Sequence, residues 1–286
     1  MEHLSKSTGV AAMAATAVLW SIAGLFIKVI DWNPIAIAGS RSLIASAVIL
    51  VYLRHPRINF SFPQVAAAVA NAATMLLFVS ANKATTAANA ILLQYFAPVL
   101  TVFTGAILLK ERARVEHFVA LPLVAGGMLL MFSDELGGGS LPGNVLALMS
   151  AVTFSFYFVF MRMQKDDSPL ESILLSHWLT AATCLVISFF LPAPHVTLKS
   201  LTALAVLGIV QIGLTAVLFT VAIKRISAAQ ANLIAVIEPV FNPVWVYLVI
   251  GETPGPAALA GGGIIILAVT AASIISARRK EEAAGR

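Results

Sequence analysis

The chain has 286 residues, 59% of them hydrophobic and only 11% charged, with a mean hydropathy of +0.94, a composition that no water-facing globular surface of this size tolerates. It is therefore an integral membrane protein, and at roughly 20 residues per helical span it has room for about ten helices and no soluble catalytic domain. The net charge of +5 comes from basic residues scattered singly between apolar runs, a pattern that suits lipid headgroups and argues against a nucleic-acid partner.

Apolar runs bounded by charges, prolines and glycine clusters predict spans over residues 8–29, 34–53, 63–82, 86–109, 115–133, 142–164, 169–191, 199–223, 228–250 and 256–276. The first run is too long for the core of a cleaved signal peptide and counts as span 1. Pro34, Pro63, Pro142, Pro169 and Pro256 fall at or near first turns, where a missing N–H does no harm. Cys184, the single cysteine, lies in span 7 as a small buried hydrophobe, so one chain has no disulfide and no cysteine metal site.

With the N-terminus in the cytoplasm, fourteen Lys and Arg residues face inside, from Lys6 through Arg54, Lys110, Arg162 and Lys224 to the tail, against Lys28, Lys83 and Lys199 outside. That imbalance sets both termini in the cytoplasm. Residues 74–112 lie on 215–253 at a constant offset of 141 with 12 of 39 positions identical, among them Phe78/Phe219, Lys83/Lys224, Pro98/Pro239 and Glu111/Glu252. Each copy holds an odd number of spans, so the second sits upside down relative to the first. The expected fold is all-α integral membrane, with ten transmembrane helices as two inverted five-helix repeats. Residues 1–133 form the first repeat, 134–143 a Gly-rich external linker, 144–276 the second repeat and 277–286 a basic cytoplasmic tail. Many secondary transporters are built this way.

Spans 4 and 9 carry the most information. Asn232, Ala235, Glu238, Asn242 and Trp245 recur at intervals of three and four and share one helical face. Their counterparts Ile91, Gln94, Ala97, Thr101 and Thr104 form the more polar side of span 4, and both faces are expected to point inward across the pseudo-symmetry axis. Pro98 removes the hydrogen bond to the Gln94 carbonyl, Pro239 does so for Ala235, and Pro243 repeats the effect one turn later. These prolines are the expected hinges, and a cavity is expected to satisfy the freed carbonyls. The alternative is that they only kink packed helices.

Glu238 is the one acidic residue near the middle of a span, either a ligand for a substrate amine or coupling proton, or a neutral acid bonded to a neighbouring helix. Arg41, in the outer half of span 2, is expected to pair with helix-end carbonyls or reach outward to the interface, with a carboxylate anchor as the alternative. His177 and Gln211 are packing residues in one reading and ligands in the other. Trp20, Phe78, Tyr95, Phe156, Tyr157 and Trp245 lie on spans that can wall a cavity, and aromatic walls with few charges suit a small amphiphilic solute. Asn71 and Asn82 on span 3 add amides beside Phe78.

Trp20-Ser21 followed by Lys28, the Pro34…Arg41 opening of span 2, and the Ala-x-x-Ala and Pro positions that lead to Glu111 and again to Glu252 resemble the drug/metabolite transporter superfamily, its duplicated ten-helix exporters above all. Residues 226–252, with Ala228, Ala231, Glu238-Pro239 and Gly251-Glu252, look especially close to that pattern. The resemblance implies a basket of ten helices around a cavity bordered by spans 1, 3, 4, 6, 8 and 9, opened alternately to either side. It also implies export of amino acids or other metabolites, and the aromatic lining looks like the amino-acid exporters, including the aromatic-amino-acid branch. Phosphorylated solutes are disfavoured because no Lys or Arg cluster sits at mid-depth. Arg41 stands where the second copy has Ser176, so its role is not duplicated.

The expected function is export of amino acids or similar small metabolites across the inner (plasma) membrane by a multi-pass monomer without cofactor or metal. Trp20, Phe78, Asn82, Gln94, Tyr95, Tyr157, Gln211, Asn232, Glu238, Asn242 and Trp245 are the expected substrate contacts. Drug or cation efflux with Glu238 neutralising the cation is the alternative. An intramembrane enzyme lacks its residues, since the chain has no HExxH, no GxSxG and no paired mid-membrane aspartates.

Overall fold

In hydrocarbon every backbone polar group needs a partner inside the protein, so apolar runs of this length become helices. The computed structural model describes residues 6–23, 26–27, 30–85, 87–111, 115–133, 140–250 and 255–284, except for the side chains at 82, 83, 87, 88, 242, 243, 246, 250 and 276–284. Lys28, Glu252 and the linker at 134–139 lie outside these residues, as do the side chains of Lys83, Asn82, Asn242 and Pro243.

All regular structure among the described residues is helical. Span 1 is Lys6–Trp20, span 2 Pro34–Leu53, span 3 Phe62–Ala84, span 5 Val115–Met131, span 6 Leu141–Met163, span 7 Pro169–Ser188 and span 10 Pro256–Ala284. Pro34, Pro63, Pro142 and Pro169 occupy the first or second helical position, where their missing N–H is one of the orphans in any case. Among the described residues seven segments are long and apolar enough to cross a bilayer, while Val115–Met131 and Ala228–Phe241 are apolar but shorter.

Three spans expected as continuous α-helices are not. Span 4 is two helices, Ala87–Gln94 and Ala97–Leu108, and span 9 is two, Ala228–Ala235 and Ile237–Ile250. Pro98 and Pro239 cause both breaks, because each ring removes an N–H and crowds the carbonyl four residues back. Span 8 runs as α-helix over Leu198–Val206, as π-helix over Leu207–Leu214 and as α-helix again over Thr215–Ile223. Span 3, its counterpart, has no such interruption.

The ten spans pack as two inverted copies. Span 3 packs on span 6 as span 8 packs on span 1, span 3 meets span 7 as span 8 meets span 2, and the pairs 2–7, 4–9 and 5–10 each join an element to its own counterpart. Spans 4 and 9 are antiparallel, since Tyr95 bonds Glu238 while Thr101, six residues on, bonds Asn232, six residues back. One face collects the start of span 1, where Gly9 lies against Arg225, and the end of span 10, where Ile275 shares a groove with Val115. Both ends of the helical body thus lie on the arginine-rich face.

Lipid is as apolar as the helices, so close backbone approach and interhelical hydrogen bonds hold the body together, the latter worth about 0.6 kcal/mol each on average. Asn71–Ser176 at 2.8 Å, Thr74–Thr153 at 2.8 Å and Thr104–Ser155 at 2.9 Å tie span 3 to spans 7 and 6 and span 4 to span 6. Spans 5 and 10 meet at glycines: a Cβ on Gly261 would fall 2.4 Å from the Gly127 carbonyl oxygen and 2.6 Å from the Met131 nitrogen. Gly261→Val is expected to force the two spans apart at a cost of roughly 1–3 kcal/mol, read as a lower melting temperature in detergent. Gly263→Ala, where nothing lies within 4 Å of the added carbon, is expected to melt like the native chain.

Candidate functional site

The proline breaks expose carbonyls at the crossing of spans 4 and 9, and a side chain meets one of them. Tyr95 sits at the break of span 4, and its hydroxyl donates to a Glu238 carboxylate oxygen at 2.7 Å while lying 3.4 Å from the Ala235 carbonyl that Pro239 leaves free. The opposite repeat thus brings a hydroxyl beside the freed carbonyl, while that hydroxyl's one proton goes to Glu238. Val236 stands at Tyr95's place in the second copy and has no hydroxyl to return the contact. One turn away, the Asn232 amide donates to the Thr101 hydroxyl at 2.6 Å, with the Asn232 carbonyl oxygen buried and unbonded. Gln94 is buried at the end of the first half of span 4.

The aromatic residues do not wall one open chamber. Trp20 packs against Phe154 and Phe219, and Tyr157, 4% exposed, packs against Phe154, Phe158 and Phe219. Phe156 stacks on Phe160, and Phe78 belongs to a separate cluster around Ala81, Ala90 and Ala147. Two hollows among the described residues lie elsewhere: a groove of about 180 Å³ between spans 5 and 10 and a small pocket beside Glu111. Trp20 and Trp245 use their N–H, Trp20 donating to Thr215 at 3.1 Å and Trp245 to Ser21 at 2.7 Å. They bind span 1 to spans 8 and 9.

Arg41 departs most from expectation. It is 9% exposed and does not reach the interface. Gly39 lets span 7 close over span 2 at Cys184, and Gly208 lets the π-helical part of span 8 press on Ile44 and the Arg41 carbonyl. Both contacts press neighbouring helices onto span 2 around Arg41. Its Nη2 lies 3.8 Å from the Met75 sulfur and its Nε has no hydrogen-bond partner. Glu238, His177 and Cys184 lie within its electrostatic reach. Sequence spacing could not place this residue, because Cys184 and Gly208, which pack on its helix, belong to other parts of the chain.

Both faces are tied. Inside, Arg162 holds Glu111 at 2.9 Å and donates to the Ile223 carbonyl, while the second Glu111 oxygen accepts the Ala228 N–H at 3.2 Å. Glu111 thus supplies a carboxylate to the N-terminus of span 9, where the helix dipole favours one. Asn59–Asp167 and Gln64–Ser168 join the neighbouring loops at 3.0 Å each. Outside, Ser140 donates to the Ala84 carbonyl and Thr85 to Asn144 at 2.8 Å, while Trp32 donates to the His195 carbonyl at 2.8 Å. The polar layer of Tyr95, Glu238 and Arg41 lies between these two sets.

The profile of the EamA-like transporter family matches residues 7–133 and again residues 141–274. An uncharacterised transporter of Archaeoglobus fulgidus is 28% identical over 247 residues, spanning 86% of this chain and 88% of its own. Another, from Pseudomonas aeruginosa, is 26% identical over 252 residues, spanning 82% and 83%. A crystal structure only 22% identical superposes with a TM-score of 0.83 over 97% of this chain and 100% of its own, so the fold is shared. With one profile fitted to each of two inverted halves, the chain belongs to the EamA-like transporter family of the drug/metabolite transporter superfamily and is a secondary transporter, not an enzyme.

Proposed function

We propose that the chain exports amino acids, or small metabolites of similar size and polarity, across the plasma membrane by alternating access, working as a monomer. The observation that carries this reading is the Tyr95–Glu238 bond, a polar contact at the crossing of two broken helices, enclosed between two hydrogen-bonded faces. Helix breaks at mid-depth are points about which two repeats can rock with little loss of hydrogen bonding. Opening the inner face requires the Glu111–Arg162 group to part, and opening the outer face requires the Ser140–Ala84 group to do so. A solute entering the layer meets Tyr95, Glu238, Asn232 and Gln94, with Trp20, Tyr157 and Trp245 as apolar neighbours. Gln211, Phe78, Asn82 and Asn242 complete the proposed set of contacts.

Glu238 also suits a cationic drug. The buried Arg41 works against that reading, because a purely cationic solute meets a like charge in the same layer. In proteoliposomes holding the purified chain, labelled amino acids are expected to move faster than in empty vesicles and ethidium is not. Ethidium flux alone would favour drug efflux, and no amino-acid flux at all would end the export reading. Tyr95→Phe removes a hydrogen bond to a carboxylate, worth about 1.5–3 kcal/mol, and is expected to slow flux roughly tenfold or more.

The inner face provides a separate check. Arg162→Ala releases Glu111 and the Ile223 carbonyl, so a cysteine placed at Ala229, in a Cys184→Ala background, is expected to react several-fold faster with a maleimide added from the cytoplasmic side. An unchanged rate would mean that the ion pair does not hold this face closed.

A further inference from the structure

An arginine at membrane depth is tolerated where it faces the bundle interior and has a partner. Arg41 faces the interior, yet among the described residues its polar side-chain contact is the thioether of Met75. Glu238 is the acid within its electrostatic reach, but the Glu238 hydrogen bond goes to Tyr95 and not to the guanidinium. Among the buried polar atoms on neighbouring spans that also lack partners are His177 Nδ1 on span 7, 2% exposed, and Gln211 Oε1 on span 8, 8% exposed. His177 lies within reach of the Arg41 charge. Gln211 belongs to the π-helical segment that Gly208 packs against the Arg41 carbonyl. Unsatisfied buried groups are few in native proteins, and π-helical turns recur at functional sites.

We infer that Arg41 is the seat of a substrate carboxylate, with Gln211 Oε1 and the Glu238 carboxylate receiving the substrate's ammonium group. The inference rests on the export reading and narrows it to solutes that carry a carboxylate. A guanidinium presents paired N–H donors that match the two oxygens of a carboxylate. Arg41 is the only Lys or Arg within a span's interior, so a phosphate's second charge has no second cation to meet. The seat is also single. Ser176 takes Arg41's place in the second copy, and span 3 runs as unbroken α-helix where span 8 is π-helical. One solute is bound off the pseudo-twofold axis, not two related by it.

The test uses proteoliposomes in which labelled phenylalanine efflux is challenged with phenylalanine, 3-phenylpropionate, which lacks the amine, and phenylethylamine, which lacks the carboxylate. In the native chain the two carboxylates are expected to compete and the amine to be at least tenfold weaker. Arg41→Lys is expected to keep that order with weaker competition, and Arg41→Gln to abolish the preference for carboxylates. The same three compounds, added to the detergent-solubilised native chain, are expected to raise its melting temperature in the same order, a readout that requires no variant. Equal competition by phenylethylamine in the native chain, or an Arg41→Gln variant that still prefers carboxylates, overturns the seat and leaves export standing. Absence of flux for every amino acid defeats both.

Discussion

Pro98 and Pro239 each strip one hydrogen bond from a helix that has no water to replace it. The chain answers by breaking both spans and crossing them, so that the hydroxyl of one repeat reaches the carbonyl freed in the other, at Tyr95 and Ala235. The same hydroxyl bonds Glu238, which brings a carboxylate to the crossing. From this point the antiparallel register of spans 4 and 9 runs outward to Thr101 and Asn232, and beyond it to Glu111 and the start of span 9. A single backbone deficit, occurring once in each copy, thus organises the centre of the protein.

The symmetry of the two copies supplies the architecture, and their differences supply the chemistry. Where the repeats agree, as in the paired packing of spans 5 and 10, glycines let the two helices approach closely. Where they differ, polar groups gather. Tyr95 faces a copy with Val236, Glu238 corresponds to Ala97, Arg41 to Ser176, and the π-helical turn of span 8 to straight helix in span 3. An inverted duplication with no differences would present the same surface to both sides. These four departures lie in or beside the layer that both faces enclose.

The faces are closed by different chemistry. The inner one relies on an ion pair that also caps a helix, so its strength combines the Arg162 charge with the dipole of span 9. Among the described residues the outer one shows neutral hydrogen bonds, Ser140 to Ala84 and Thr85 to Asn144.

Hydropathy, charge bias and the offset of 141 determined the ten spans and their inversion, because each depends only on the order of residues along the chain and on the solvent around it, while the family was legible only as a resemblance in the motifs around Trp20, Arg41, Glu111 and Glu252. The positions of Pro98 and Pro239 marked where spans 4 and 9 deviate, although a pattern of apolar residues drew them as continuous helices. The tertiary structure alone decided which side chain lay beside the free carbonyl and whether the aromatic residues formed walls or packed on one another. It also decided that Arg41 was buried. Periodicity assigns a residue to a face of its own helix, but burial and pairing depend on what packs against that face. For Arg41 the deciding contacts come from Gly39 against Cys184 and from Gly208, about 170 residues away.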